Sequence, residues 1–161
     1  MKRVVGMADM TVSAEAGDLL VTYALGSCLG IVVHDPVAGV GGMLHAMLPS
    51  AQIDPNGGRQ NPFKYVDTGV PALFLECYRL GARKERMTVK VAGGAQAVGV
   101  PAAPDCFEVG KRNFLMLRKL FWKNGVLMDA HDVGGHESRT LELEIGSGEV
   151  RLRVGRERRK L

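Results

Sequence analysis

The sequence predicts an α+β fold, a sandwich of sheet and helices, from three observations. Strand-like apolar runs outnumber helical stripes. The two helical stripes lie apart in the chain with a strand between them. Short turns join several consecutive strands, which favours antiparallel neighbours. Mixed, mostly antiparallel sheets with two main helices are therefore expected.

Residues 18–25 form the first clear strand, running into a Gly26-Ser27 turn. Residues 28–35 are almost continuously apolar and form a second, closed by Pro36; residues 40–48 form a third, ended by Pro49. The polar stretch 50–62, rich in Gly, Asn and Pro, reads as a surface loop long enough to suggest a functional role. Thr68 is placed to cap a helix, with Pro71 in its first turn and Gly81 just past its end. Val70, Leu73, Phe74, Cys77 and Leu80 then share one face. Residues 87–92 form a strand ending at Gly93-Gly94. The second helix follows Gly110, gathers Phe114, Leu117, Leu120 and Phe121 on one stripe, and stops at Asn124-Gly125. Residues 126–133 form another strand. Leu141, Leu143 and Ile145 alternate with Glu142 and Glu144; past Gly146-Ser147-Gly148, Val150, Leu152 and Val154 alternate with Arg151 and Arg153. That pattern is a hairpin with one apolar face and an acidic strand opposite a basic one.

A chain of 161 residues is expected to be a single domain, residues 1–161, with room for a proper core. An apolar content of 46% with 24% charged residues is that of an ordinary globular protein, and no stretch approaches the length of a membrane span. The first nine residues hold two basic side chains but no sustained apolar run, so membrane insertion is not expected and the cytoplasm is the default compartment. Cys28, Cys77 and Cys106 lie far apart with no CxxC spacing, which fits reduced thiols better than a disulfide framework or a zinc ribbon. The net charge of +4 has a local origin: residues 151–161 carry six Arg or Lys against the single acid Glu157. That tail contains no aromatic residue, so it reads as a solvated, frayed terminus rather than a nucleic-acid footprint.

Cys28 sits just after Leu25-Gly26-Ser27, and His45 follows Gly41-Gly42-Met43-Leu44. A thiol becomes a nucleophile as thiolate, and an imidazole is its commonest activator. Glycine lets the backbone approach a substrate, and N–H groups of the turn at Gly26 and Ser27 suit an oxyanion hole. Two readings of Cys28 stay open on these residues alone: a nucleophile, or a small buried hydrophobe. His45 divides likewise between a base and a histidine satisfied by a backbone carbonyl. The two meet if strands 28–35 and 40–48 pair, and Thr22 could then bond the other imidazole nitrogen and fix its tautomer. Cys77 reads as core, His34 as structural, and Cys106 has no partner signal. His131, Asp132 and His136 look like a metal cluster, but Gly134-Gly135 intervene and no further ligand is spaced to join them, so no metal is expected. Gly93-Gly94-Ala95-Gln96 lacks both GxGxxG and the GK[ST] ending of a phosphate loop.

The segments Thr22-Tyr23-Ala24-Leu25-Gly26-Ser27-Cys28 and Gly41-Gly42-Met43-Leu44-His45-Ala46-Met47-Leu48-Pro49 resemble the signature of the CheD family, the chemoreceptor glutamine deamidases of bacterial and archaeal chemotaxis. The likeness continues through Lys64-Tyr65-Val66-Asp67-Thr68, Pro71-Ala72-Leu73, Val91-Ala92-Gly93-Gly94-Ala95, Gly110-Lys111-Arg112-Asn113, Asp132-Val133-Gly134-Gly135 and Arg139-Thr140. The resemblance implies a layered α/β/α fold and a thiol amidohydrolase that turns receptor glutamines into glutamate and needs no cofactor. It implies Cys28 as nucleophile, His45 as general base and Thr22 as the residue orienting the histidine. Its partners would be methyl-accepting chemotaxis receptors and, in some members, a CheC-type phosphatase. Two other classes compete: a mainly non-catalytic regulatory partner of that phosphatase, and a thiol redox or metal protein, which the missing CxxC counts against.

Overall fold

The computed structural model describes residues 1–96 and 108–161. Two five-stranded sheets and two long helices build it. The outer sheet has the order β1 (Lys2–Val4), β3 (Leu19–Leu25), β8 (Arg139–Glu144), β9 (Val150–Val154), β10 (Glu157–Lys160). The central sheet runs β2 (Asp9–Ser13), β5 (Val40–Ala46), β4 (Leu29–Asp35), β6 (Thr88–Gly93), β7 (Ala130–Val133). Only β1–β3 and β6–β7 pair in parallel; the other neighbours are antiparallel. The fold is thus α+β with mixed, mostly antiparallel sheets.

Helices α2 (Val66–Arg79) and α3 (Val109–Asn124) cover one face of the central sheet, where Leu73, Phe74, Leu117 and Phe121 meet Leu29, Ile31, Val33 and Leu44. The outer sheet covers the other face, with Leu20, Leu141, Leu143 and Leu152 against Val32, Met43 and Ala92. The layers therefore run helix, sheet, sheet, and the third layer is a sheet where the α/β/α resemblance places helices. The alternation of β8 and β9 explains it: Leu141, Leu143 and Leu152 are fully buried, so the hairpin has one apolar face and needs a sheet face to lie on. Strands covered on both faces read as continuous apolar runs, which is why every residue of β4 and β5 is buried. The Gly41-Gly42 pair lets both layers close in. A Cβ on Gly41 would sit 2.9 Å from Ile145 Cδ1, and one on Gly42 2.7 Å from Leu73 Cδ1.

Several local expectations shift. Helix α2 begins at Val66, so Thr68 lies inside it and does not cap it; its hydroxyl donates to the Pro62 carbonyl at 2.5 Å. Pro71 also falls inside the helix. The stretch 50–62 contains a short helix, α1 (Pro55–Gln60), whose Gly57 N–H is accepted by Asp54 Oδ1 at 2.9 Å. The strand expected over 126–133 is confined to β7. The basic tail is not frayed: β10 pairs along β9, Arg158 meets Glu142 at 2.6 Å, and Lys160 meets Glu149. Strands β1 and β2 were not expected, because a three-residue strand and the sequence Asp-Met-Thr-Val-Ser carry little periodic signal.

Candidate active site

His45 lies on β5 opposite Gly30 of β4, and Leu29 lies opposite Ala46. Continuing that antiparallel register sets Cys28 diagonally across from His45, on the same side of the sheet because side chains alternate. That side faces the outer sheet: Cys28, half-buried, packs against the core between the two sheets, and His45 is buried there. Thr22 comes from the outer sheet itself, on β3. Its hydroxyl lies 2.7 Å from His45 Nδ1 and 2.7 Å from the Val5 carbonyl.

One hydroxyl carries one hydrogen, and the Val5 carbonyl can only accept it. Toward the imidazole, the Thr22 oxygen is therefore the acceptor, so the proton sits on Nδ1. His45 Nε2 is left as a bare lone pair, buried and with no hydrogen-bond partner among the described residues. A buried imidazole in a fixed tautomer with a free Nε2 is a base awaiting a proton. Burial also holds the His45 pKa below its ordinary value and pushes the Cys28 thiol up, the latter partly countered by the residue's own N–H. Both shifts favour the uncharged pair in the free protein.

The turn carrying Cys28 is held from outside. Strand β3 bulges between Thr22 and Leu25, with Ala24 at φ 55°, before the chain turns into Gly26, whose N–H donates to the Ala24 carbonyl at 2.9 Å and so is not the free oxyanion donor the sequence suggests. Three successive carbonyls of the turn are then taken: Gly26 O by Ala95 N–H at 2.8 Å, Ser27 O by Asn113 Nδ2 at 2.9 Å, and Cys28 O by Gly94 N–H at 2.9 Å. Gly93, at φ 117°, permits this approach, since a Cβ there would lie 2.1 Å from the Cys28 carbonyl oxygen. Sequence reasoning missed Asn113 as a site residue. A signal existed: Asn113, Leu117 and Phe121 share the buried stripe of α3, and a fully buried amide on such a stripe has work other than packing.

The remaining candidates go elsewhere. Asp132 is held by Arg139, with contacts at 2.8 and 2.7 Å, and by Arg159. His136 Nδ1 lies 2.9 Å from the Gln96 carbonyl, and the His131 ring lies against Phe114. His34 is buried with Nε2 2.8 Å from the Ile145 carbonyl. Cys77 is buried in the core with its thiol pushed up to about 12. Cys106 and the loop 101–106 lie outside the described residues.

A family model described as CheD chemotactic sensory transduction matches residues 47–154, most of the chain. This chain belongs to the CheD family. The protein named probable chemoreceptor glutamine deamidase CheD from Solibacter usitatus is 46% identical over 98% of this chain and 92% of its own. Its counterpart named CheD 1 in Syntrophus aciditrophicus is 46% identical over 91% and 90%, and the Pyrococcus abyssi CheD 42% over 92% and 89%. Among solved structures, a Neisseria meningitidis protein of the DUF152 family is 10% identical, with a TM-score of 0.48 over 82% of this chain and 62% of that one. The family match begins just after His45, whereas the Solibacter alignment is long enough to include Thr22, Cys28 and His45.

Proposed function

We propose that this member of the CheD family is a protein-glutamine deamidase acting on chemotaxis receptors in the cytoplasm, with Cys28 as nucleophile, His45 as general base and Thr22 as the group that orients it. The observation that carries the reading is the bare Nε2 of His45, whose ring Thr22 fixes on the same sheet face as Cys28. The relatives' printed names supply the substrate class.

The chemistry follows from the resting neutral pair. As Cys28 sulfur attacks the side-chain amide carbon of a glutamine, His45 Nε2 takes the thiol proton. The carbonyl oxygen becomes an oxyanion beside the N–H groups of Ser27 and Cys28, in the turn that Gly26 opens. On collapse the C–N bond breaks, His45 returns its proton to the departing nitrogen, and ammonia leaves a thioester. Water then attacks that thioester, giving a proton to His45. The C–S bond breaks, the thiol is restored and glutamate remains. Each product adds a negative charge to a receptor segment, which would alter its signalling by local electrostatics. A CheC-type phosphatase belongs to the same proposal as a further partner.

Ammonia release and the mass of the product, measured with receptor cytoplasmic fragments, test the reading. Wild type and Cys28→Ala are compared, with Cys77→Ala as the thiol control. Release by wild type and Cys77→Ala, and silence from Cys28→Ala, is the expected result. Silence from all three on fragments from the same organism would replace the deamidase with a regulatory binding protein.

A further inference from the structure

We propose that Asn113 is a positioning residue that aims the Cys28 N–H at the developing oxyanion. The inference rests on the deamidase reading above and adds to it a residue from the far side of the sheet.

Asn113 is fully buried near the start of α3, and its Nδ2 donates to two carbonyls, Ser27 O at 2.9 Å and Met47 O at 3.0 Å. The amide has one workable orientation. Flipped, its oxygen would face two carbonyl oxygens and neither contact would be a hydrogen bond. Both hydrogens are thus committed, and Oδ1 is left buried without a partner among the described residues. An arrangement that leaves an acceptor unsatisfied in order to hold two carbonyls is costly unless those carbonyls matter.

They lie at the two ends that the reaction needs kept in place. Met47 O lies two residues beyond His45, just past the end of β5. Ser27 O belongs to the peptide whose other polar group is the Cys28 N–H. In a trans peptide the C=O and N–H point in opposite directions, so holding Ser27 O toward α3 turns the Cys28 N–H away from α3. The neighbouring peptide is held alike, Gly26 O by Ala95 N–H, which turns the Ser27 N–H. Neither N–H donates to another described main-chain group. The Cys28 N–H favours the thiolate of its own residue, against the burial that raises the thiol. Of the clamps on this turn, those from Gly94 and Ala95 are main-chain; Asn113 alone among these three acts through a side chain.

Two variants test the proposal, Asn113→Ala and the near-isosteric Asn113→Asp, whose buried carboxyl when protonated offers one hydrogen in place of two. Their melting curves, ammonia-release kinetics and rate of Cys28 alkylation by iodoacetamide against pH are compared with wild type. The expected result for Asn113→Ala is a kcat about 100-fold lower at unchanged KM, the size of effect of losing one oxyanion donor. Asn113→Asp should fall between it and wild type. In both, the pH at which Cys28 becomes reactive moves upward. A residue that only stabilised the fold would lower the melting temperature and leave that alkylation profile where it was. A kcat within threefold of wild type, or one that falls only in step with the fraction of Cys28 that can be alkylated, overturns the proposal. If wild type itself releases no ammonia, the deamidase reading fails. The alkylation profiles still decide whether Asn113 positions the Cys28 N–H: superimposed curves reject that, and an upward shift retains it.

Discussion

The hydroxyl of Thr22 is the smallest group on which the proposed chemistry depends. Thr22→Val keeps the shape and removes the acceptor of the Nδ1 proton, leaving His45 free to place its proton on Nε2, where it blocks the base. We expect kcat at pH 7 to fall about 10- to 100-fold, part of what general base catalysis contributes, with the melting temperature little changed. The pH profile of wild type offers a second check. His45 acts as a base only when neutral, and burial lowers its pKa, so the neutral form persists below the ordinary histidine value of about 6.5. The acid limb of kcat/KM should therefore lie below that pH, and a limb at or above it would count against His45 as the base. At this scale residue type and resemblance single out Cys28, His45 and Thr22, and the structure brings the Thr22 hydroxyl to His45. The place of Asn113 on the buried stripe of α3 signals a task, but the role proposed for it was not visible, because what matters is which carbonyls its amide reaches. Those lie 86 and 66 positions away in the chain.

Among the elements, the short link from β6 to the turn after β3 constrains the site most tightly. Gly93 ends β6 at φ 117° with its Cβ position 2.1 Å from Cys28 O, while Gly94 N–H donates to that same oxygen. Gly93→Ala therefore imposes both a disfavoured backbone conformation, about 1–2 kcal/mol, and a clash with main chain that no rotamer relieves. We expect a destabilisation above about 2 kcal/mol by urea unfolding, and an activity loss in the surviving folded fraction because the Cys28 turn must move. Gly134→Ala, also at positive φ but with open space around its Cβ position, is the control that carries the backbone penalty without the clash. The strands that build this region were legible because burial on both faces leaves unbroken apolar runs. Helix α2 was legible as a stripe, yet its start was misplaced: Thr68 looked like a cap, while the helix starts at Val66 with no side-chain cap at Tyr65. Instead Ser50 donates to Asp67 of the first turn at 2.6 Å, a contact between segments that no local pattern announces.

The molecule as a whole places His45 on one sheet and the Thr22 hydroxyl that meets it on the other, so anything that loosens the packing of the two sheets should loosen the proposed site. Composition and periodicity gave the α+β class, but the stacking of sheet on sheet depends on which apolar faces meet, and a hairpin's alternating pattern does not name its partner. A buried acid ties the end of the central sheet far from Cys28 to the connection between α2 and β6. Asp35 is fully buried at the end of β4, where Oδ2 accepts from Arg86 at 2.7 and 2.9 Å and from Arg83 N–H at 2.8 Å, and Oδ1 accepts from Val37 N–H and Ala38 N–H. Burial alone would raise its pKa. The Arg86 guanidinium and the three N–H groups outweigh that and hold the carboxyl well below the usual carboxylate range. The sign of the linkage is that of a depressed acid: the folded state gains stability from Asp35 above the unfolded value of about 3.9 and loses it as pH falls toward the folded pKa. Asp35→Asn keeps the shape but exchanges an oxygen acceptor for an NH2 that faces donors, and leaves Arg86 without its charge partner. We expect a melting temperature several degrees lower than wild type at pH 7. The gap should narrow as pH falls from about 4 toward 2, where the carboxyl of the unfolded chain takes up a proton that the folded one still resists. Thermal melts of both proteins across that range measure it. A gap that stays constant down to pH 2 would show that Asp35 acts through shape alone and that its charge adds nothing to this tie.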